Sequence, residues 1–281
     1  MARAASQSAY VLLEDGAWFS GTTRRSFDPT PGEVVFTTNL SGYQEVFTDP
    51  SYSGQIVVMT APMIGNYGIN EEDLESAKPQ VEGVVVRELS RSYSSWRATG
   101  SLESWLAERG IPALEEIDTR ALTRHIRAAG AMRGIVATGD APSERIRELL
   151  ADSPLMEGQD LASAATCAGE YQVDCDCASY HVVAFDFGMK ANILRMLSGL
   201  QCRVTVVPAQ TPAARVIELE PNGLFLSNGP GDPAAVGYVL PVIRELVDRG
   251  LPTFGICLGH QLLALAYGAM TEKLPYGHRG G

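Results

Sequence analysis

The sequence predicts an α/β chain in two parts: an N-terminal α+β domain over residues 1–165 and a parallel-sheet domain over residues 181–281, joined by a linker at 166–180. Three observations carry this. The first third is a series of short β-branched runs separated by turn residues, and the second third carries capped helical segments. Beyond residue 181, buried-type strands alternate with helices, the pattern of right-handed βαβ units and so of a parallel sheet. A length of 281 residues accommodates two domains.

Taken in order, residues 10–16 and 17–21 read as two strands joined by an Asp15-Gly16 turn. Residues 32–38, 55–60 and 83–87 are further β-rich runs. Between them, Ser41-Gly-Tyr-Gln-Glu45, Thr48-Asp-Pro-Ser-Tyr-Ser53 and Gly65-Asn-Tyr-Gly68 have the composition of ordinary turns. Ser101 caps a helix that Gly110 and Pro112 end. Residues 118–127 form a second helix, with Leu122 and Ile126 on one face and Arg120, Arg124, Arg127 and His125 on the solvated side. A third helix spans 143–150, which leaves the second third of the chain α-rich. Periodicity is lost near residues 162–179, which is where the linker at 166–180 is read. After it, strands at 181–186, 202–207, 223–227 and 252–255 alternate with helices at 190–197 and 239–248. Sheets of this kind bind ligands outside the carboxyl ends of their strands.

With 33 acidic and 22 basic residues the net charge is −11, which disfavours nucleic acid and anionic membrane as partners. No apolar run reaches bilayer length, and the first eight residues lack the apolar core of a signal peptide, so the expected location is cytoplasmic. Five cysteines, an odd number, fit a reducing compartment. Cys167, Cys175, Cys177 and His181 cluster, but their spacing is not that of structural zinc; the cysteines read as belonging to a cysteine-tolerant linker, with no metal expected.

The chemistry concentrates at Gly255-Ile256-Cys257-Leu258-Gly259, which fits the G-x-nucleophile-x-G elbow with Cys as nucleophile. A strained strand-to-helix turn leaves no room for a Cβ two residues from the nucleophile, and the glycines supply that room. The helix-forming run after Gln261 puts Cys257 at a helix N-terminus, where the dipole favours thiolate. His260 is not read as the base, because a residue three along the elbow points away from the thiol. The loop Asn228-Gly-Pro-Gly-Asp-Pro233 follows the third strand of the second domain and can bring its main chain close to a ligand, as an oxyanion hole requires. No G-x-G-x-x-G or P-loop pattern occurs, so no nucleotide site is expected.

Phe254-Gly-Ile-Cys-Leu-Gly-His-Gln261 and Leu226-Ser-Asn-Gly-Pro-Gly-Asp-Pro233 together resemble the class I glutamine amidotransferase domain. The whole chain resembles the small, glutamine-hydrolysing subunit of carbamoyl-phosphate synthetase, with residues 181–281 as a partial amidotransferase domain. The resemblance implies Cys257 as nucleophile, the Gly229 and Leu258 amides as oxyanion donors, and Ser51, Gly229, Gly231, Leu258 and Gln261 around the glutamine. It implies ammonia passed to a large-subunit partner that makes carbamoyl phosphate from bicarbonate and ATP. ATP and Mg are expected on that partner and no cofactor on this chain. The family's base His and its orienting Glu lie in an Asn-Pro-Glu-containing segment beyond residue 281, and His278 matches a position that is not the base. The chain is therefore expected to be a fragment or a truncated product, roughly a quarter short, with an incomplete sheet that leaves Ile193, Leu197, Leu262 and Leu265 uncovered. Two other readings stand beside this one: a cysteine hydrolase or peptidase on the same scaffold, and an inactive subunit that only binds the large one.

Overall fold

The computed structural model describes residues 6–176 and 178–276. The chain divides into two compact units, one holding the chain up to Thr48, Gly54–Leu155 and the chain from Lys273, the other Asp49–Ser53 and Met156–Glu272.

The first unit runs β1 (Gln7–Leu13), β2 (Trp18–Thr23), β3 (Thr30–Thr37), α1 (Tyr43–Thr48), β4 (Gln55–Met59), β5 (Gly83–Val85), α2 (Leu102–Glu108), β6 (Ala113–Leu114), α3 (Thr119–Ala129), β7 (Met132–Thr138) and α4 (Glu144–Asp152). The Asp-Gly turn forms as expected, with Gly16 at φ +91° and its N–H donating to the Leu13 carbonyl at 3.0 Å. The strands make one mixed sheet in the order β2-β1-β7-β3-β4-β5-β6. Thr22 and Glu115 exchange both main-chain hydrogen bonds at 2.8 Å, so the two outer strands of the sheet meet. Gly21 permits this approach, since a Cβ there would lie 2.4 Å from the Glu115 carbonyl oxygen. Helices α2 and α3 start where the sequence caps them: the Ser101 hydroxyl accepts from Ser104 N–H and the Asp118 carboxylate from Ala121 N–H. On α3, Leu122 and Ile126 are fully buried against Val11, Val34, Ile56 and Val136, each contributing about 1.5–3 kcal/mol.

Two expectations fail in this unit. Of the segments 41–45 and 48–53, read as turns, the first runs into helix α1 (Tyr43–Thr48), and the α-rich second third also contains β7, which lies inside the sheet between β1 and β3.

The second unit runs α5 (Ala162–Ala165), β8 (Tyr171–Val173), β9 (Tyr180–Asp186), α6 (Ala191–Gly199), β10 (Cys202–Pro208), α7 (Ala213–Glu218), β11 (Gly223–Leu226), α8 (Leu240–Asp248), β12 (Thr253–Gly255) and α9 (Leu258–Ala266). Its sheet order is β12-β11-β9-β10-β8, with β9 to β12 mutually parallel where they pair and β8 antiparallel at one edge. The segment read as a linker thus contains a strand, and Ala162 just before it is fully buried in this unit's core. One sheet face packs Val183, Phe185, Val207, Leu224 and Leu226 against α7, α8 and α9.

The other face meets α6 through Ile193, Leu194 and Leu197, yet no residue of α6 is fully buried. An open apolar trough of about 430 Å³ remains there, lined by Ile193, Met196, Leu197, Phe225, Phe254 and Ile256 among others. Of the four side chains expected to be uncovered, Ile193 and Leu197 border this trough. Leu262 is fully buried and Leu265 packs against the core, because α9 sits on the well-covered face. Among the described residues no helix is long and apolar enough to cross a membrane.

Candidate active site

The parallel strands β9, β11 and β12 end side by side, with Leu226 in register with both Phe185 and Gly255. Three loops leave this carboxyl edge, and two of them carry parts of the sequence-predicted site. The first is the elbow. Cys257 joins β12 to α9 with φ +52° and ψ −112°, a backbone conformation that an L residue with a Cβ rarely adopts. Such strain costs on the order of 1–3 kcal/mol and persists only where the surroundings impose it. Here they do: the Ile256 N–H donates to the Leu226 carbonyl at 3.0 Å, and the Gly259 N–H to the Ser227 carbonyl at 2.9 Å. A Cβ on Gly255 would stand 2.7 Å from the Gly259 carbonyl carbon and the His260 nitrogen, and one on Gly259 would stand 2.2 Å from the Leu226 oxygen. Both glycines are therefore dictated by the turn. Cys257 is exposed, in no disulfide, and caps the first turn of α9.

The second loop, 227–233, lies against the third, 186–190. The Ser227 hydroxyl accepts from Phe187 N–H at 2.9 Å and donates to the Asn228 carbonyl at 2.7 Å. Gly229 approaches so closely that a Cβ would lie 2.1 Å from the Phe187 oxygen. Gly231 takes φ +91°, with the Gln159 carbonyl 2.8 Å from where its Cβ would be. Asp232 then pins the loop by accepting from Ala234 N–H and Gly158 N–H at 2.9 and 3.0 Å. In the third loop the Asp186 carboxylate accepts from Gly188 and Met189 N–H groups at 2.9 and 2.8 Å and, through its other oxygen, from Cys167 N–H at 2.8 Å.

Ser51 comes to this edge from far up the chain. It lies in a 3₁₀ turn, Pro50–Tyr52, capped by Asp49, whose carboxylate accepts from Ser51 N–H at 2.9 Å. The Ser51 hydroxyl is 2.9 Å from the Asn228 amide nitrogen, and Lys190 Nζ is 2.8 Å from the Asp49 carboxylate. Gly188, at φ +117°, makes room for Pro230 and Pro50, which would lie 2.8 and 3.1 Å from a Cβ there. Among the described residues neither Gly229 N–H nor Leu258 N–H has a hydrogen-bond acceptor, although both residues sit in tightly held main chain. Gln261 is exposed on the first turn of α9. Ser51, Gly229 and Gly231 thus lie on laced loops and Cys257, Leu258 and Gln261 on the elbow and its helix. Sequence reading gave no individual role to Asn228, Asp49, Lys190, Asp186 or Ser227.

The family models meet this geometry from two directions. Residues 11–136 match the carbamoyl-phosphate synthase small chain, CPSase domain, and residues 183–281 match the glutamine amidotransferase class-I model. The carbamoyl phosphate synthase small chain of Chlorobaculum tepidum is 51% identical across 97% of this chain and 75% of its own length. Those of Syntrophotalea carbinolica and Salmonella typhimurium are 48% and 46% identical, each covered to 76% of its length. The chain belongs to the carbamoyl phosphate synthase small chain family. It spans about three quarters of the length of these relatives and carries a class I glutamine amidotransferase domain.

Two histidines of this small-chain family member have hydrogen-bond partners of their own. His181 lies at the start of β9, the opposite end of the strand from Asp186, with Nε2 2.8 Å from the Thr205 hydroxyl. Burial, then the nearby Arg203 charge, lowers its pKa. His125, read as a surface residue, pairs with Asp15 in the first unit at 2.6 Å. His260 is exposed on α9, and His278 lies outside the described residues. Of the cysteine cluster, burial and then Asp186 push the Cys167 thiol up to about 11. The Cys175 thiol donates to the Ser198 carbonyl at 3.4 Å, and Cys177 lies outside the described residues. Among the described residues no group of three His, Cys, Asp or Glu could hold a metal ion.

Proposed function

We propose that this chain supplies the glutaminase half of carbamoyl phosphate synthesis, with Cys257 as nucleophile. The observation that carries the proposal is the strained Cys257 backbone between two sterically required glycines, next to two main-chain amides without acceptors. Cys257 Sγ attacks the side-chain amide carbon of glutamine, and the Gly229 and Leu258 N–H groups stabilise the oxyanion that forms. The tetrahedral intermediate expels the amide nitrogen, which takes up a proton and leaves as ammonia. Water then attacks the thioester and releases glutamate and the thiol. Ser51, Gly231 and Gln261 hold the rest of the substrate. By resemblance the proton carrier is a histidine oriented by a glutamate, both beyond residue 281. The ammonia passes to the large partner, where ATP, Mg and bicarbonate are used.

The test is Cys257→Ser in a small chain of full family length assembled with its large partner. The variant is expected to lose glutamine-dependent synthesis while ammonia-dependent synthesis persists, since the two half-reactions use different sites. A glutamine-analogue electrophile should label wild type stoichiometrically at Cys257, which an unrelated cysteine hydrolase would not show. Near wild-type glutamate release from the serine variant would remove Cys257 from the role.

A further inference from the structure

Asn228 is 2% exposed, and every polar atom of its side chain is used. Its Oδ1 accepts from Lys190 N–H at 3.1 Å. Its Nδ2 donates to the Gly188 carbonyl at 2.9 Å and to the Ser51 hydroxyl at 2.9 Å, with the Asp49 carboxylate a longer neighbour at 3.4 Å. The amide cannot be turned over, because a flip would set its oxygen against the Gly188 carbonyl and its NH₂ against the Lys190 N–H. This fixes the chemistry of Ser51. A serine hydroxyl has one proton and two lone pairs. Since the Asn228 amide donates a hydrogen bond to Ser51 Oγ, one lone pair is occupied and the Ser51 O–H remains to be donated. Among the described residues nothing accepts it. Asp49 completes the clamp by accepting from the Ser51 main-chain N–H, and is itself tied to Lys190.

We propose that Asn228 is a positioning residue that holds the Ser51 hydroxyl with its O–H free to donate, so that Ser51 recognises an acceptor oxygen of the substrate. This rests on the glutaminase reading, in which Ser51 touches glutamine. It also explains why a buried asparagine opens the Gly-Pro-Gly loop: its side chain ties the loop carrying Gly229 to the turn carrying Ser51, 177 residues apart in sequence.

The test is a double-mutant cycle on the KM for glutamine in the assembled two-subunit enzyme. Ser51→Ala and Asn228→Ala are each expected to raise KM about tenfold or more, the scale of one lost hydrogen bond to a charged or polar substrate group. The double variant should be no worse than the weaker-binding single variant, because Asn228 acts through the Ser51 hydroxyl. Factors that multiply would overturn the proposal, since a merely structural role of Asn228 would act whether or not the hydroxyl is present. If Asn228→Ala does not assemble, Asn228→Asp keeps the shape and the acceptor for Lys190 N–H while removing the donor. The same lack of further loss with Ser51→Ala is expected of it, and multiplied factors would again overturn the proposal. A wild-type complex that does not hydrolyse glutamine would instead overturn the glutaminase reading, and would do so before any variant is made.

Discussion

Gly259 shows how a residue without a side chain determines where Cys257 stands. Its α-carbon lies so close to β11 that even an alanine Cβ would come to 2.2 Å from the Leu226 oxygen. Gly259→Ala must therefore push the start of α9 away from β11, carrying the Leu258 N–H and Cys257 with it. A shift of about 1 Å in catalytic geometry costs on the order of 10² in rate, and forcing a methyl into a packed contact costs about 1–3 kcal/mol. The expected outcome is a correspondingly slower glutamate release together with a lower melting temperature. Wild-type turnover in a folded variant would show that the elbow tolerates displacement and that its geometry is not what activates the thiol. The elbow was legible in sequence because the steric requirement is local: two glycines flank one cysteine. Asn228 was not, since its role depends on Ser51, Gly188 and Lys190, which no local pattern joins to it.

At the scale of elements, the same distinction separates what was read from what was missed. Helices α2 and α3 announce themselves through Ser101 and Asp118, whose caps are local chemistry. Strand β7 does not: Met132-Arg-Gly-Ile-Val-Ala-Thr138 carries Gly134 in its middle, a residue that weakens strands. Pairing on both sides overrides that penalty, and the glycine is needed, since a Cβ there would lie 2.4 Å from a Val34 methyl. Helix α1 is likewise held by distant partners, its Gln44 side chain pairing with the Asn70 main chain. Elements with little burial of this kind include α6 and β12. No α6 residue is fully buried, Met196 is 63% exposed, and Phe254 on the outer strand β12 is also 63% exposed. Amide hydrogen exchange of the 281-residue chain should therefore find α6 and β12 opening well before β9 and β11. Protection in β12 equal to that in β9 would show that its open edge costs no local stability.

For the molecule as a whole, the question is whether these 281 residues suffice for turnover when purified without a partner. The structure supplies a strained thiol, two main-chain donors without acceptors and a clamped Ser51, while the base that the resemblance implies lies beyond residue 281. His181 stands at the far end of β9 and His125 is paired with Asp15. Catalysis by a thiol needs a proton carrier within hydrogen-bond reach. Losing one member of a comparable triad costs several orders of magnitude, while the oxyanion hole and binding alone leave a residual acceleration of roughly 10³–10⁴ over water. The expected result for residues 1–281 is thus glutamate release far below that of a small chain of full family length, with a residual rate that falls further on Cys257→Ser. Adding the large partner should not restore it, because a partner cannot stand in for a base that must touch the thiol. Robust glutamate release by residues 1–281 alone would sink this expectation and make His260 or His278 the base to test next, by replacing each with glutamine and following the pH dependence of turnover.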